Sequence, residues 1–267
     1  PTATGGNELA MNDNVPLRVM VFNILRGGDR LDPATGDFFP DGKRSAKSLE
    51  AVIAAIALAK PDIVGLEEAE GNSGAIADRL GWHCSSRTQI ISRYPLIDPP
   101  GGDGAYVFAE LSPGKIVAVA NAHPPSDPYG PYLVRDGAGL AEVLANEAAT
   151  RMPAVQRQLA VLPALAAAGI PVFLTGDFNT PSHLDWTDAV SERRPQLRHA
   201  VPWPVSKATE AAGLRDSFRE AHPDPIGVPG FTWSPGGPEC DPDEVHDRID
   251  WVLVSGPAVT VASEILG

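Results

Sequence analysis

Two spacings of apolar residues divide this chain into strands and helices. Leu17 to Asn23 is a short β-branched and aromatic run ending on an amide, and the Gly27-Gly28 pair after it marks a turn. Lys43 to Lys60 places Leu49, Val52, Ile53 and Ile56 at helical spacing and stops against Pro61. Ile63 to Glu68 then reads as a second buried strand whose last residues are carboxylates. A helix is expected from Ser73 to Leu80, closed by Gly81, followed by strands at Gln89 to Ser92, Tyr106 to Leu111 and Lys115 to His123. Helices over Ala138 to Arg151 and Ala154 to Ala168 precede the apolar run from Pro171 to Asn179. Beyond Pro181 the pattern gives helices at Ser206 to Ala212 and Leu214 to Ala221. Strands follow at Phe231 to Trp233, Arg248 to Ser255 and Val259 to Ile265. No repeat or change of composition divides the 267 residues, so a flexible segment 1–14 followed by one domain, 15–267, is expected. The elements mix rather than strictly alternate, which disfavours a parallel α/β barrel and favours two packed sheets flanked by helices.

Composition changes this picture little: 43% hydrophobic and 21% charged residues are globular proportions with material for a sizeable core. No apolar run is long enough to cross a bilayer. Charge changes more, because 21 basic against 34 acidic side chains leave a net charge of -13, which opposes attraction to long polyanions. A bound divalent cation reverses the local field, so a phosphate substrate stays open. Pro1 to Asn14 is small and polar like the end left after removal of an export signal. A secreted or periplasmic location is therefore expected, with the cytoplasm as the alternative. Cys84 and Cys240 stand open between one disulfide and two thiols, and no CxxC pair supports a zinc site.

The candidate chemistry sits where strands end. Asn23, Glu67-Glu68, His123, and Asp177 with Asn179 close four separate apolar runs, and Asp247 and Asp250 stand at the start of a fifth. Carboxylate and amide oxygens suit magnesium or manganese, and amide and imidazole N–H groups suit phosphate. Singly each has a bland reading: Asn23 as a turn former, Glu68 as a solvated strand end, His123 as a satisfied histidine before Pro124. Gly176-Asp-Phe-Asn179 says more, because an acid and an amide two apart on extended backbone point to one side. Gly176 also allows close backbone approach. Asp241, Asp243, Glu244 and Asp247 lack the full spacing of a calcium loop and read as a solvated acidic turn, though Ca2+ stays open as a ligand.

Phe22-Asn23, Pro61-Asp-Ile-Val-Gly-Leu-Glu-Glu68, Ile91-Ser-Arg-Tyr-Pro95, Asn121-Ala-His123, Gly176-Asp-Phe-Asn179 and Asp247-Arg-Ile-Asp250 together resemble, in order, the motifs of the endonuclease/exonuclease/phosphatase superfamily. The resemblance implies a four-layer α/β/β/α sandwich of two mixed sheets with the site at one end, and divalent-metal-dependent hydrolysis of a phosphodiester or phosphomonoester by activated water. It makes Glu68 the principal metal ligand with Asn23 and Asp177 beside it, for Mg2+ or Mn2+. His123 would contact the phosphate, Asp177 would orient or deprotonate the water, and Asn179 would hold the phosphate. Asp250, ahead of Asp247, would orient a catalytic histidine. Relatives carry a glutamine where this chain has Glu67, which is expected to face solvent because neighbouring strand residues point to opposite faces. They also carry a Ser-Asp-His strand that is not found here, so a vacancy is expected beside Asp250 unless His83, His183 or His246 fills it. Arg135, in the loop after His123 with Tyr129 and Tyr132, and Trp233 are candidate substrate contacts. A small phosphoester, a monomer and no membrane span are expected. A nuclease, or a non-catalytic phosphate-binding protein on the same fold, is the alternative.

Overall fold

A computed structural model describes residues 14–32, 34–39, 42–101, 103–233 and 244–266. Cys240, Asp241, Asp243 and all of the expected flexible segment except Asn14 lie outside the described residues, and with them one half of the expected disulfide and the first part of the acidic turn.

Two sheets form the centre. The first has the order β1-β2-β4-β3 and uses β1 (Val19–Asn23), β2 (Ile63–Glu67), β3 (His83–Ser85) and β4 (Ile90–Ser92). The second has the order β5-β6-β7-β8-β10-β9. It uses β5 (Leu96–Ile97), β6 (Val107–Ser112), β7 (Lys115–Ala122), β8 (Val172–Asp177), β9 (Arg215–Asp216) and β10 (Asp250–Ser255). Both sheets are mixed: β1 with β2 and β7 with β8 run parallel, and the other pairs antiparallel.

The period of two decides which side chains lie between the sheets. Along β2, Val64 and Leu66 pack with Ile53, Ile56 and Ile76 of α1 (Ala46–Ala59) and α2 (Ser73–Leu80). Ile63 turns the other way and meets Val107, Val117 and Val119 of the second sheet. Gly65 faces the same way, and a Cβ there would lie 2.0 Å from Thr175 Oγ1 and 2.5 Å from Asn121 Oδ1. The sheets therefore approach too closely at this point for any side chain. On the far face of the second sheet, Ala118, Ala120, Val172, Leu174 and Leu253 pack with Val155 and Leu162 of α5 (Met152–Ala167) and Val205 of α7 (Pro204–Ala211). The layers are α/β/β/α.

Helix ends follow local chemistry. The Ser45 side chain caps α1, which stops at Lys60 in the left-handed region (φ 54) directly before Pro61. Between Arg135 and Met152 lies α4 (Leu140–Thr150). Gly130–Arg135 forms α3, although the Pro-rich stretch reads as a loop in sequence; Pro131 sits in its first turn, where its missing N–H costs nothing. The expected helix from Leu214 splits into β9 and α8 (Ser217–Ala221), with Asp216 capping the helix through its side chain. A four-residue α6 (Asp188–Ser191) was not foreseen. At Phe231 to Trp233 only Trp233 bridges, to Asp247, rather than forming a strand.

Val259 to Ile265 forms no strand. Val259 and Val261 are 80% and 95% exposed, and the segment is tethered by Arg215 Nη2 donating to Ala258 O (2.7 Å) and His222 Nε2 donating to Ser263 O (2.7 Å). β-branched composition alone does not make a strand, which also needs a paired neighbour. The outer side of β1 carries no partner among the described residues. Because the second sheet is wider, Val252 and Val254 of β10 and Phe173 of β8 line a groove of about 2640 Å3 beside that edge, running into the cleft that holds His123 and Asp177.

Candidate active site

Alternation also brings the polar strand ends together. Asn23 ends β1 on the inner face; its Nδ2 donates to Glu68 Oε1 (3.1 Å) and to Asp177 Oδ2 (2.8 Å), and its Oδ1 accepts from the Leu25 amide (2.9 Å). Glu68 follows β2 in the left-handed region (φ 53), which breaks the alternation and turns its side chain into the cleft. The turn after β1 wraps around it, with the Arg26 amide donating to Glu68 Oε2 (3.0 Å) and the Gly27 amide to its carbonyl (2.6 Å). Two residues in rare backbone conformations, Glu68 and Asn179 (φ 50), thus flank one cleft.

Asp177 is 6% exposed and ends β8. Its Oδ1 accepts from the Asn179 amide (3.0 Å), and its Oδ2 lies 3.7 Å from His123 Nε2. Burial raises its pKa against the opposing pull of the Asn23 and Asn179 hydrogen bonds. Asn179 Nδ2 donates to Pro124 O (3.0 Å), leaving its second hydrogen free for a ligand. Asp250 pairs across the ladder with Asp177 and lines the cleft, its amide donating to Thr232 Oγ1 (3.1 Å). Burial and then the Asp177 charge push its carboxyl up to about 7.

Glu67 corrects the expectation that it faces solvent. It is 1% exposed and sits between the sheets on the same face as Gly65, with the Asn121 side chain as a polar neighbour. Burial first, then the charges of Asp250 and Asp177, hold its pKa well above the ordinary value. The two faces of β2 were told apart correctly, but the face opposite the helices is an interlayer, not solvent.

Asp247 is also corrected: it lies 2% exposed behind the cleft, accepting from Trp186 Nε1 (2.8 Å) and Tyr129 OH (3.0 Å). Burial pushes it up to about 7, opposed by the Arg194 charge and those two donors. It braces the walls and does not reach the reacting space. Arg135 pairs with Asp136 (2.9 Å) and stacks at 4.4 Å over Tyr132, which lines the cleft while Arg135 does not. Trp233 does line the cleft and is 39% exposed. Of the histidines only His123 lines it; His183 binds Ser206 Oγ through Nδ1 (2.6 Å) and His246 packs on Phe231, so neither stands beside Asp250.

Among the described residues no group of three or more His, Cys, Asp or Glu side chains is placed to hold a metal ion. The donors on offer are two carboxylates, Glu68 and Asp177, converging on one amide, and this oxygen-rich set fits a hard cation that keeps most of its waters.

An α/β/β/α sandwich with carboxylate, amide and imidazole groups at one end of its interlayer is the arrangement of a metal-dependent phosphoester hydrolase. The sequence model of the endonuclease/exonuclease/phosphatase family matches residues 20–267, and the chain belongs to that family. It is 28% identical to an uncharacterized protein, F14F9.5, of Caenorhabditis elegans, over 91% of this chain and 80% of that one. Its fold is similar to an AP endonuclease from Archaeoglobus fulgidus (TM-score 0.50, 16% identity, 90% of this chain and 87% of that one). It is also similar to a β-hairpin deletion mutant of beta toxin from Staphylococcus aureus (TM-score 0.51, 14% identity, 95% and 93%). A further likeness is to an endonuclease/exonuclease/phosphatase from Beutenbergia cavernae (TM-score 0.51, 16% identity, 91% and 64%).

Proposed function

We propose that this cleft hydrolyses a small phosphoester, with Glu68 and Asp177 holding magnesium or manganese, Asn23 beside them, and His123, Asn179 and Asp177 acting on the phosphate and the water. The observation that carries the reading is the convergence of Asn23, Glu68, Asp177, His123 and Asn179 from four strands on one cleft. When bound, the cation polarises the phosphoryl oxygen and stabilises the leaving oxygen. Asn179 keeps one amide hydrogen for a phosphate oxygen, and its other contact, to Pro124 O, fixes the direction of that donor. His123 is exposed enough to meet substrate, and its ring, 3.7 Å from Asp177, offers an N–H toward charge growing on the phosphate. Asp177, its carboxylate fixed by Asn23 and the Asn179 amide, orients the attacking water and accepts its proton.

The net charge of -13 favours a small substrate over a duplex. The test is a substrate panel of plasmid DNA, an abasic oligonucleotide, nucleotides, sugar phosphates and phospholipid headgroups, each with magnesium, manganese or calcium. Faster turnover of small esters supports the reading, and preference for the DNA substrates replaces it with a nuclease.

A further inference from the structure

Arg151 lies between α4 and α5 with no exposed surface, and a buried guanidinium is tolerated only if its donors are occupied. Glu147, one turn earlier and equally buried, places Oε1 3.1 Å from its Nη1. The remaining reach is spent on three backbone carbonyls: Nε donates to Asn179 O (2.8 Å), Nη1 to Pro128 O (2.7 Å) and Nη2 to Ser126 O (2.5 Å). These belong to two segments, one leaving β7 through His123 and the other leaving β8 through Asp177. The ladder between β7 and β8 ends at Ala122 and Gly176, before either segment reaches His123 or Asn179. Beyond that point Asn179 Nδ2 on Pro124 O also ties them. Gly130 shows how tightly the clamp is built in, since a Cβ there would lie 2.4 Å from Glu147 Oε1.

We propose that Arg151 is a positioning residue that continues the β7–β8 pairing past the end of the sheet, holding His123 and Asn179 at a fixed separation and keeping Asn179 in its left-handed conformation. The role rests on His123 and Asn179 being the pair that faces phosphate. A lysine carries the same charge but not the planar fork, and one ammonium does not serve three carbonyls facing it from two segments. Arg151→Lys is therefore expected to lower kcat by about 10²-fold with KM little changed, the size of loss that a small misplacement of reacting groups produces. In Arg151→Ala, added guanidinium ion is expected to restore part of that turnover by refilling the site. Hydrogen exchange should quicken in 124–129 and 178–180 together while α5 stays protected. Glu147→Gln, a milder change that leaves the guanidinium in place, should loosen the same two segments less. The proposal is overturned if both segments remain as protected as in the parent protein, or if the lost turnover follows lost thermal stability and guanidinium restores none of it. If the parent protein cleaves no phosphoester, the proposed function falls, and the exchange measurement still decides the role of Arg151.

Discussion

Asn23 donates to two carboxylates at once and so supplies, weakly, the neutralisation that a cation between them would supply strongly. Glu68→Gln should remove most of the divalent-ion affinity without disturbing the fold, because it deletes charge and adds almost no volume; unchanged manganese binding by calorimetry would remove Glu68 from the site. Asn179→Ala and His123→Ala should each lower turnover by about 10²-fold or more, with less than additive losses in the double variant if both hold one phosphate. A change confined to KM would make them ground-state contacts. Glu67 carries the pH prediction. Its folded pKa is raised above the ordinary 4.5, so the folded state takes up the proton more readily than the unfolded chain. Its burial is tolerated fully below about 4.5, and stability is lost as pH rises through the raised folded value. Glu67→Gln should accordingly raise Tm at pH 8 by roughly 3 °C or more and change it little at pH 4; equal shifts at both pH values would mean that the carboxyl does not titrate between them. At this scale the positions of Asn23, Asp177 and Asn179 at strand ends were legible in the sequence, because strand ends and an i, i+2 pair are local signals. The sequence ranked Asp250 ahead of Asp247 but kept both, because what draws Asp247 behind the cleft is Trp186 and Tyr129, distant in sequence.

At the scale of elements, β2 shows why some of the structure was legible and some was not. Its alternation was plain in the sequence, yet the destination of each face depended on a second sheet that alternation does not reveal. Gly65 is the residue through which that sheet acts. Gly65→Ala should cost about 2 kcal/mol or more, since its Cβ would collide with Thr175 Oγ1 and force the layers apart. Denaturant unfolding measures the cost, and a variant as stable as its parent would show that the sheets part easily. The missing strand at Val259 to Ile265 teaches the converse: its propensity was read correctly, but pairing is a property of two segments. The helix at Gly130–Arg135 was overlooked because its glycine and proline are turn signals elsewhere, and here Gly130 is required by Glu147.

For the whole molecule, the layer order followed from strands and helices in mixed succession, whereas the unequal widths of the two sheets did not. Among the described residues that inequality leaves β1 without a strand neighbour on its outer side, beside a groove that 257–266 also lines. A row of unsatisfied N–H and C=O groups is a template, and another molecule offering the same row can complete it. Because this margin adjoins Asn23 and Asp250, stacking there would obstruct the entrance, and specific activity should decline as concentration rises. Val21→Lys, a charge set into that margin, should suppress such self-association in light scattering. Scattering and activity independent of concentration would mean that β1 is shielded in solution. Such a pairing would set a second copy of the chain against the entrance to the cleft.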